Sequence, residues 1–227
     1  MYAEDNTMNA NKFIKLDYQS PDSETLIANA VDFRSKMEKR RSVRIFSDKD
    51  VPKAVIEHII MTASSAPSGA HKQPWTFCAI SDQDMKTKIR AAAEKEEYEN
   101  YHGRMSDEWL KDLEKFDTNW FKEFLTEAPW LIVIYKKSYD IEDGVKSKNY
   151  YVNESVGIAA GMLITAIHMV GLVTLTHTPS PMNFLQDILS RPENEKPFLL
   201  LPVGYPIDGV EVPDIQRKSV DQVLKWY

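Results

Sequence analysis

A single cysteine, Cys78, stands in 227 residues, so no internal disulfide is available and a reducing compartment, the cytoplasm, is expected. Five histidines, His58, His71, His102, His168 and His177, show none of the paired spacing of a zinc site. With no second cysteine, no metal is expected. G-x-G-x-x-G, P-loop and G-x-S-x-G patterns are all missing, which removes the sequence signals of a Rossmann dinucleotide site, an NTPase and an α/β-hydrolase. Net basic charge is also lacking: 28 Lys and Arg against 34 Asp and Glu leave −6, the wrong sign for neutralising nucleic-acid phosphates. The opening MYAEDNTMNANKF has no basic region followed by an apolar run, so no export leader is expected. The most apolar stretch, Val156 to Val170, falls short of the roughly 20 residues that span a bilayer. It reads as a buried core helix, and neither a membrane nor nucleic acid is expected as a partner.

What is present suits one folded unit. Apolar residues make up 43% of the chain, enough for a full core, and no repeat or Pro/Gly/Ser linker divides it. Helical periodicity is expected from about Ser23 to Lys39, with Leu26, Ile27, Ala30, Val31 and Phe33 on one side, and again from Pro52, placed at the first helical position. Trp75 to Ile80, Trp130 to Tyr135, Leu172 to Thr176 and Phe198 to Val203 read as strands. Ser81, with Asp84 three residues on, is a candidate cap for a helix leading to Glu97. Residues 94 to 120 are polar, aromatic and poor in aliphatics, and are expected outside the core as a lid. The sum is an α+β fold with helices on both sides of a sheet.

Three segments could carry chemistry. Arg40-Arg41-Ser42-Val43-Arg44 offers planar, permanently charged donors suited to a phosphate, with Ser42 adding a hydroxyl; a basic cluster ending a helix also simply suits the helix dipole. Ala66 to Trp75 surrounds Pro67, Ser68 and Gly69 with small residues that would let backbone N–H groups approach a planar ligand, or form an ordinary turn. Thr174-Leu175-Thr176-His177-Thr178 could present hydroxyls to a ligand nitrogen, although threonine in a strand also has packing reasons.

Taken together, RRSVR at 40–44, APSGAHKQPW at 66–75, GLVTLTHTP at 171–179, LLLPVGYP at 199–206 and VPDIQRK at 212–218 resemble the FMN-binding segments of nitroreductase-fold flavoproteins, in matching order. Glu97, Tyr101 and Lys122 point to the iodotyrosine deiodinase branch of that superfamily. The resemblance covers Lys39 to the C-terminus. It implies a nitroreductase-like α+β fold with a central, mainly antiparallel sheet flanked by helices in an intertwined homodimer. Residues 1–38 would form an N-terminal arm and helix, and 39–227 the FMN-binding domain with a substrate lid at about 94–125.

The resemblance also implies roles. Arg40, Arg41, Ser42, Val43, Arg44 and either Arg217 or Lys218 would hold the phosphate side of FMN. Pro67, Ser68 and Gly69 would lie against the flavin, partly from the second subunit, and Thr176, His177 and Thr178 would line its ring, with Thr178 donating to N5. Glu97 would accept from a halotyrosine ammonium, Lys122 would pair with its carboxylate and Tyr101 would cover its ring. The Ala70 N–H would bind the phenolate oxygen, so that preoriented donors stabilise that oxyanion while the flavin supplies electrons to expel halide. NAD(P)H or a reductase would provide the electrons. The competing readings are a broad nitroreductase or flavin reductase without the zwitterion clamp, and a nonenzymatic flavin-binding or interaction protein using 94–125 as a partner surface.

Overall fold

The structure, a computed structural model, describes residues 13–227 and divides the chain into units of residues 1–38 and 39–227. In the first, α1 (Ser23–Glu38) opens where Asp22 accepts from the Thr25 N–H at 2.7 Å, and the i,i+4 pairs Lys36–Asp32 and Arg34–Glu38 brace its surface. None of its residues is buried, and Leu26, Ile27, Val31 and Phe33 are all more than half exposed.

The second unit is organised by a four-stranded sheet in the order β1 (Trp75–Ile80), β2 (Trp130–Lys137), β6 (Glu195–Gly204), β5 (Val173–Thr174), with every neighbouring pair antiparallel. Central strand β2 is apolar at successive positions because the pleat sends alternate side chains into two cores. Ile132 and Ile134, with Leu201 and Val203 of β6, meet α2 (Lys53–Ser64) through Ile56, Ile59 and Ala63, and α6 (Val152–Met169) through Val156, Ala159, Leu163 and Ile167. Leu131, Val133, Tyr135 and Leu200 meet α3 (Gln83–Glu99), α5 (Phe124–Glu127) and α7 (Asn183–Ile188) through Ile89, Ala93, Leu125 and Leu185. The Tyr135 hydroxyl, buried with its ring, donates to the Leu185 carbonyl at 2.8 Å, so that this polar atom is satisfied within the core. Helices therefore cover both faces of the sheet, as expected.

Local details differ from the sequence reading. Pro52 is the N-cap of α2, one place before the first helical position, and Asp82, not Ser81, caps α3 by accepting from the Met85 N–H at 2.8 Å. α6 begins four residues earlier than Val156 and is by length and composition alone long and apolar enough to cross a membrane, as core helices also can be; 39% of it is buried, with Val156, Ala159, Leu163 and Ile167 packed into the core. The third expected strand shortens to β5. Pro202 of β6 lacks the N–H to continue that ladder, and the Thr174 hydroxyl bonds its carbonyl at 2.6 Å. A hairpin of β3 (Tyr139–Glu142) and β4 (Val145–Lys148) turns through Asp143 and Gly144, both at positive φ. The 94–120 segment is not wholly outside the core: Glu97 and Asn100 are buried, as are Lys122, Phe124 and Leu125 just after it. Between them run a π-helical turn, Asn100–Arg104, and the short α4 (Asp107–Glu114), which buries nothing completely.

Candidate functional site

Ser42 pairs with Thr174 in a parallel bridge, and the Val43 N–H donates to the Thr174 carbonyl at 3.2 Å. The 40–44 segment thus lies along the β5 edge of the sheet. That pleat buries Val43 and leaves Arg40, Arg41, Ser42 and Arg44 to line a cavity of about 290 Å³. Pro213, Gln216 and Arg217 close it from the far end of the chain and Phe116 from the segment before β2; Lys218 does not line it. The Arg41 guanidinium donates to the Pro213 carbonyl and Arg217 to the Arg40 carbonyl at 2.8 Å, so main-chain oxygens hold the cluster in register. Four arginines and no acid line the cavity. Burial, then repulsion from Arg217 and Arg41, pushes the Arg40 guanidinium below its usual range, and burial does the same to Arg44. In a chain of net charge −6, such crowding of like charge makes this a candidate anion site.

Arg44 also borders a second cluster. Its guanidinium lies 5.8 Å from the Phe116 ring centroid and acts electrostatically on Tyr101. Glu97 from the last turn of α3 and Lys122 form an ion pair at 3.2 Å, with side chains only 9% and 5% exposed. The Lys122 ammonium sits 5.3 Å from the Tyr101 ring centroid and also donates to the Asn119 carbonyl. Burial raises the Tyr101 hydroxyl above its usual range, partly opposed by a hydrogen bond with Thr118. Burial lowers the Lys122 ammonium, and Glu97 opposes that shift. Glu94 fixes the strand of chain that carries Lys122, its carboxylate accepting from the Lys122 N–H and from Arg90, each at 2.8 Å. The three residues proposed for an amino-acid substrate are therefore assembled, with the two opposite charges satisfying each other.

Thr176 and Thr178 are exposed on one side of their segment while His177 turns inward, its ring edge-on to Phe124 at 5.3 Å. Burial, with Lys122 and Arg44 adding repulsion, pushes His177 down to about 3. Its Nε2 has no hydrogen-bond partner among the described residues. Its main chain exchanges two bonds with Leu200, at 2.9 and 3.1 Å, so His177 anchors the segment to β6 and turns its side chain away from the exposed threonines. The 66–75 loop is elsewhere. Ala70, His71 and Gln73 all adopt positive φ, a concentration of strain that functional loops often hold. Gly69 is required for a reason internal to the chain: a Cβ there would lie 2.9 Å from the Tyr150 carbonyl oxygen. Its N–H donates to Ser155 near the start of α6, whereas Arg40 and Arg41 share a second cavity with Ile167 and His168 at the end of α6. Thirteen residues of helix separate Ser155 from His168, roughly 20 Å, so one chain does not bring Pro67, Ser68, Gly69 and Ala70 to the arginines.

The model of the nitroreductase family matches residues 37–205. The chain belongs to the nitroreductase family. Within that family it is 60% identical over 205 residues to an iodotyrosine deiodinase of Haliscomenobacter hydrossis, covering 90% of this chain and 92% of that protein. It is 46% identical over 203 residues to an iodotyrosine deiodinase of Hydra vulgaris, covering 88% and 75% respectively. A crystal structure of oxidised iodotyrosine deiodinase bound to FMN and 3-iodo-L-tyrosine superposes with a TM-score of 0.74 at 28% identity, covering 86% of this chain and 98% of that one.

This nitroreductase-family chain adds residues that sequence reasoning missed. Phe116, Thr118 and Asn119 touch the arginine cavity, Tyr101 and Lys122 in turn, and no spacing rule marks them. Asn100 is buried beside Tyr101 where the helix turns π-helical, a feature that no apolar period reports.

Proposed function

We propose that the chain is an FMN-dependent reductive dehalogenase that converts halotyrosine, iodotyrosine first, to tyrosine and halide. The observation that carries this reading is the buried Glu97–Lys122 pair against Tyr101, adjoining the arginine cavity through Arg44. Kinship with iodotyrosine deiodinases and with a structure holding FMN and 3-iodo-L-tyrosine supports it. The residues fit FMN: Arg40, Arg41, Arg44 and Arg217 surround a cavity whose like-charge crowding a phosphate would relieve, with Ser42 as a further donor. Val43 and His177, with buried side chains and N–H groups bonded to Thr174 and Leu200, would only position their neighbours, and Thr178, exposed beside Thr176, would donate its hydroxyl to N5.

When bound, FMN would supply the two electrons that, with one proton, replace the carbon–halogen bond by carbon–hydrogen and release halide. The chain's own part is binding and charge placement. Glu97 accepts from the substrate ammonium and Lys122 pairs with its carboxylate, so the zwitterion exchanges one internal ion pair for two external ones. Tyr101 covers the aromatic ring, and closure of the 94–125 segment excludes water. The Ala70 N–H binds the phenolate oxygen, from a second copy of the chain, since the 67–70 loop and the arginines sit at opposite ends of α6. α6 exposes Gly157, Gly161 and Ile158, with open space beside both glycines, a surface that a second α6 could approach closely. The active form is accordingly a homodimer. Its reductant is a reduced nicotinamide or a reductase, and the lone Cys78 suits a cytoplasmic setting.

Limited proteolysis of the FMN-loaded protein tests the clamp. Iodotyrosine should protect 94–125 and a nitroarene should not; equal protection by both would return the chain to a general nitroreductase.

A further inference from the structure

The geometry points to Asn100 as a positioning residue that ties the substrate-binding turn to the Thr176–Thr178 segment. The inference rests on the reading that Glu97 and Tyr101 hold substrate and that Thr178 meets the cofactor. Two i,i+4 pairs interleave on one helical stretch. Glu97 and Tyr101 meet Lys122, while Asn100 and Arg104 both aim at the Ser180 carbonyl, at 3.1 and 3.4 Å. Arg104 is held for this by Glu96 at 2.6 Å. The π-helical turn closes with the Met105 N–H on the Asn100 carbonyl at 2.9 Å, and such single turns inside helices recur at functional sites.

Asn100 is only 8% exposed. A buried amide adds little net stability over an apolar side chain of the same shape, but it is satisfied in one register only. Here that register is set by Ser180, two residues after Thr178. On its other side Thr178 follows His177, whose main chain is fixed to Leu200 of β6 by two bonds. Thr178 therefore hangs between a sheet anchor and a lid anchor. Any displacement of the 97–104 turn that separates Glu97 from Lys122 is passed to the Ser180 carbonyl, and so to the threonine hydroxyl. Substrate binding thereby adjusts the group that faces the cofactor without touching it.

Asn100→Leu keeps the branched outline and removes the donor, and Asn100→Asp keeps the shape and places an acceptor against a carbonyl. In FMN-free protein, hydrogen exchange across 176–182 should rise at least about tenfold in either variant, about 1.4 kcal/mol of local opening. In FMN-loaded protein, 3-iodotyrosine should bind within about fivefold of the unsubstituted chain, yet lose its effect on the reduction potential of the bound flavin. Asn100→Leu should add nothing further to that potential in a Thr178→Ala background, because the two act in series. Unchanged exchange at 176–182, or a ligand-induced potential shift equal to that of the unsubstituted protein, in either variant with native thermal stability would overturn the proposal. A purified unsubstituted protein without FMN would instead sink the dehalogenase reading, while the FMN-free exchange comparison would still decide the role of Asn100.

Discussion

Iodotyrosine analogues that carry only one of the two amino-acid charges should bind worse than the zwitterion by roughly a hundredfold, and no better than neutral iodophenol. The Glu97–Lys122 pair is 3.2 Å apart and its side chains are 9% and 5% exposed. A zwitterion separates the pair and gives each member a new partner. Iodotyramine offers an ammonium to Glu97 but leaves Lys122 charged in a buried place with no carboxylate, held by the Asn119 carbonyl and the Tyr101 ring; the deaminated propionate does the reverse. Removing one partner from a buried pair costs about 3 kcal/mol, which is roughly a hundredfold in affinity. Iodophenol leaves the pair closed and avoids that penalty, so affinity does not simply rise with each charge added. Titration by quenching of flavin fluorescence would rank the four ligands. Iodotyramine within about threefold of iodotyrosine would refute the exchange argument.

The arginine cavity predicts that Arg44→Ala loses most FMN on purification, measured as flavin released per chain, because one of four converging guanidiniums disappears; full occupancy would place the phosphate elsewhere. Gly161→Leu puts a bulky side chain on the exposed stripe of α6, and sedimentation should show dissociation with loss of flavin, whereas an intact, loaded dimer would exclude that helix from the interface. His177 is held neutral, with its pKa lowered to about 3 from 6.5, so the unfolded chain takes up a proton that the folded chain does not. Stability should therefore fall as pH drops below about 6.5, by up to about 1.4 kcal/mol per pH unit until about 3. His177→Phe should flatten that dependence in denaturant unfolding; an unaltered slope would contradict it.

Much of the site was legible because charge is legible. Arg40, Arg41 and Arg44 stand together in the sequence and suit a phosphate or, equally, the end of a helix dipole, and it is the cavity with four guanidiniums and no acid that favours the first reading. The choice between Arg217 and Lys218 was not, since alternate residues of an extended tail face opposite ways and the sequence does not say which. Val43 and His177 were read as cofactor contacts from the resemblance, which carries segments and not side-chain directions, and the pleat turns both side chains inward. Gly69 was singled out for close approach to a planar ligand, and what approaches it within the chain is the Tyr150 carbonyl. The β3–β4 hairpin carried a readable Asp143-Gly144 turn signal that its short, polar strands obscured. The buried pairing of Glu97 with Lys122 was beyond reach: a glutamate in an acidic run reads as solvated until a lysine 25 positions later is seen to fold onto it.

Anaerobic mixing of the dithionite-reduced, FMN-loaded protein with 3-iodotyrosine, following flavin reoxidation and iodide release together, tests the central claim most directly. The account predicts one iodide and one tyrosine for each flavin reoxidised, at a rate well above that with a nitroarene. Reoxidation by the nitroarene alone, with no iodide formed from iodotyrosine, would contradict it.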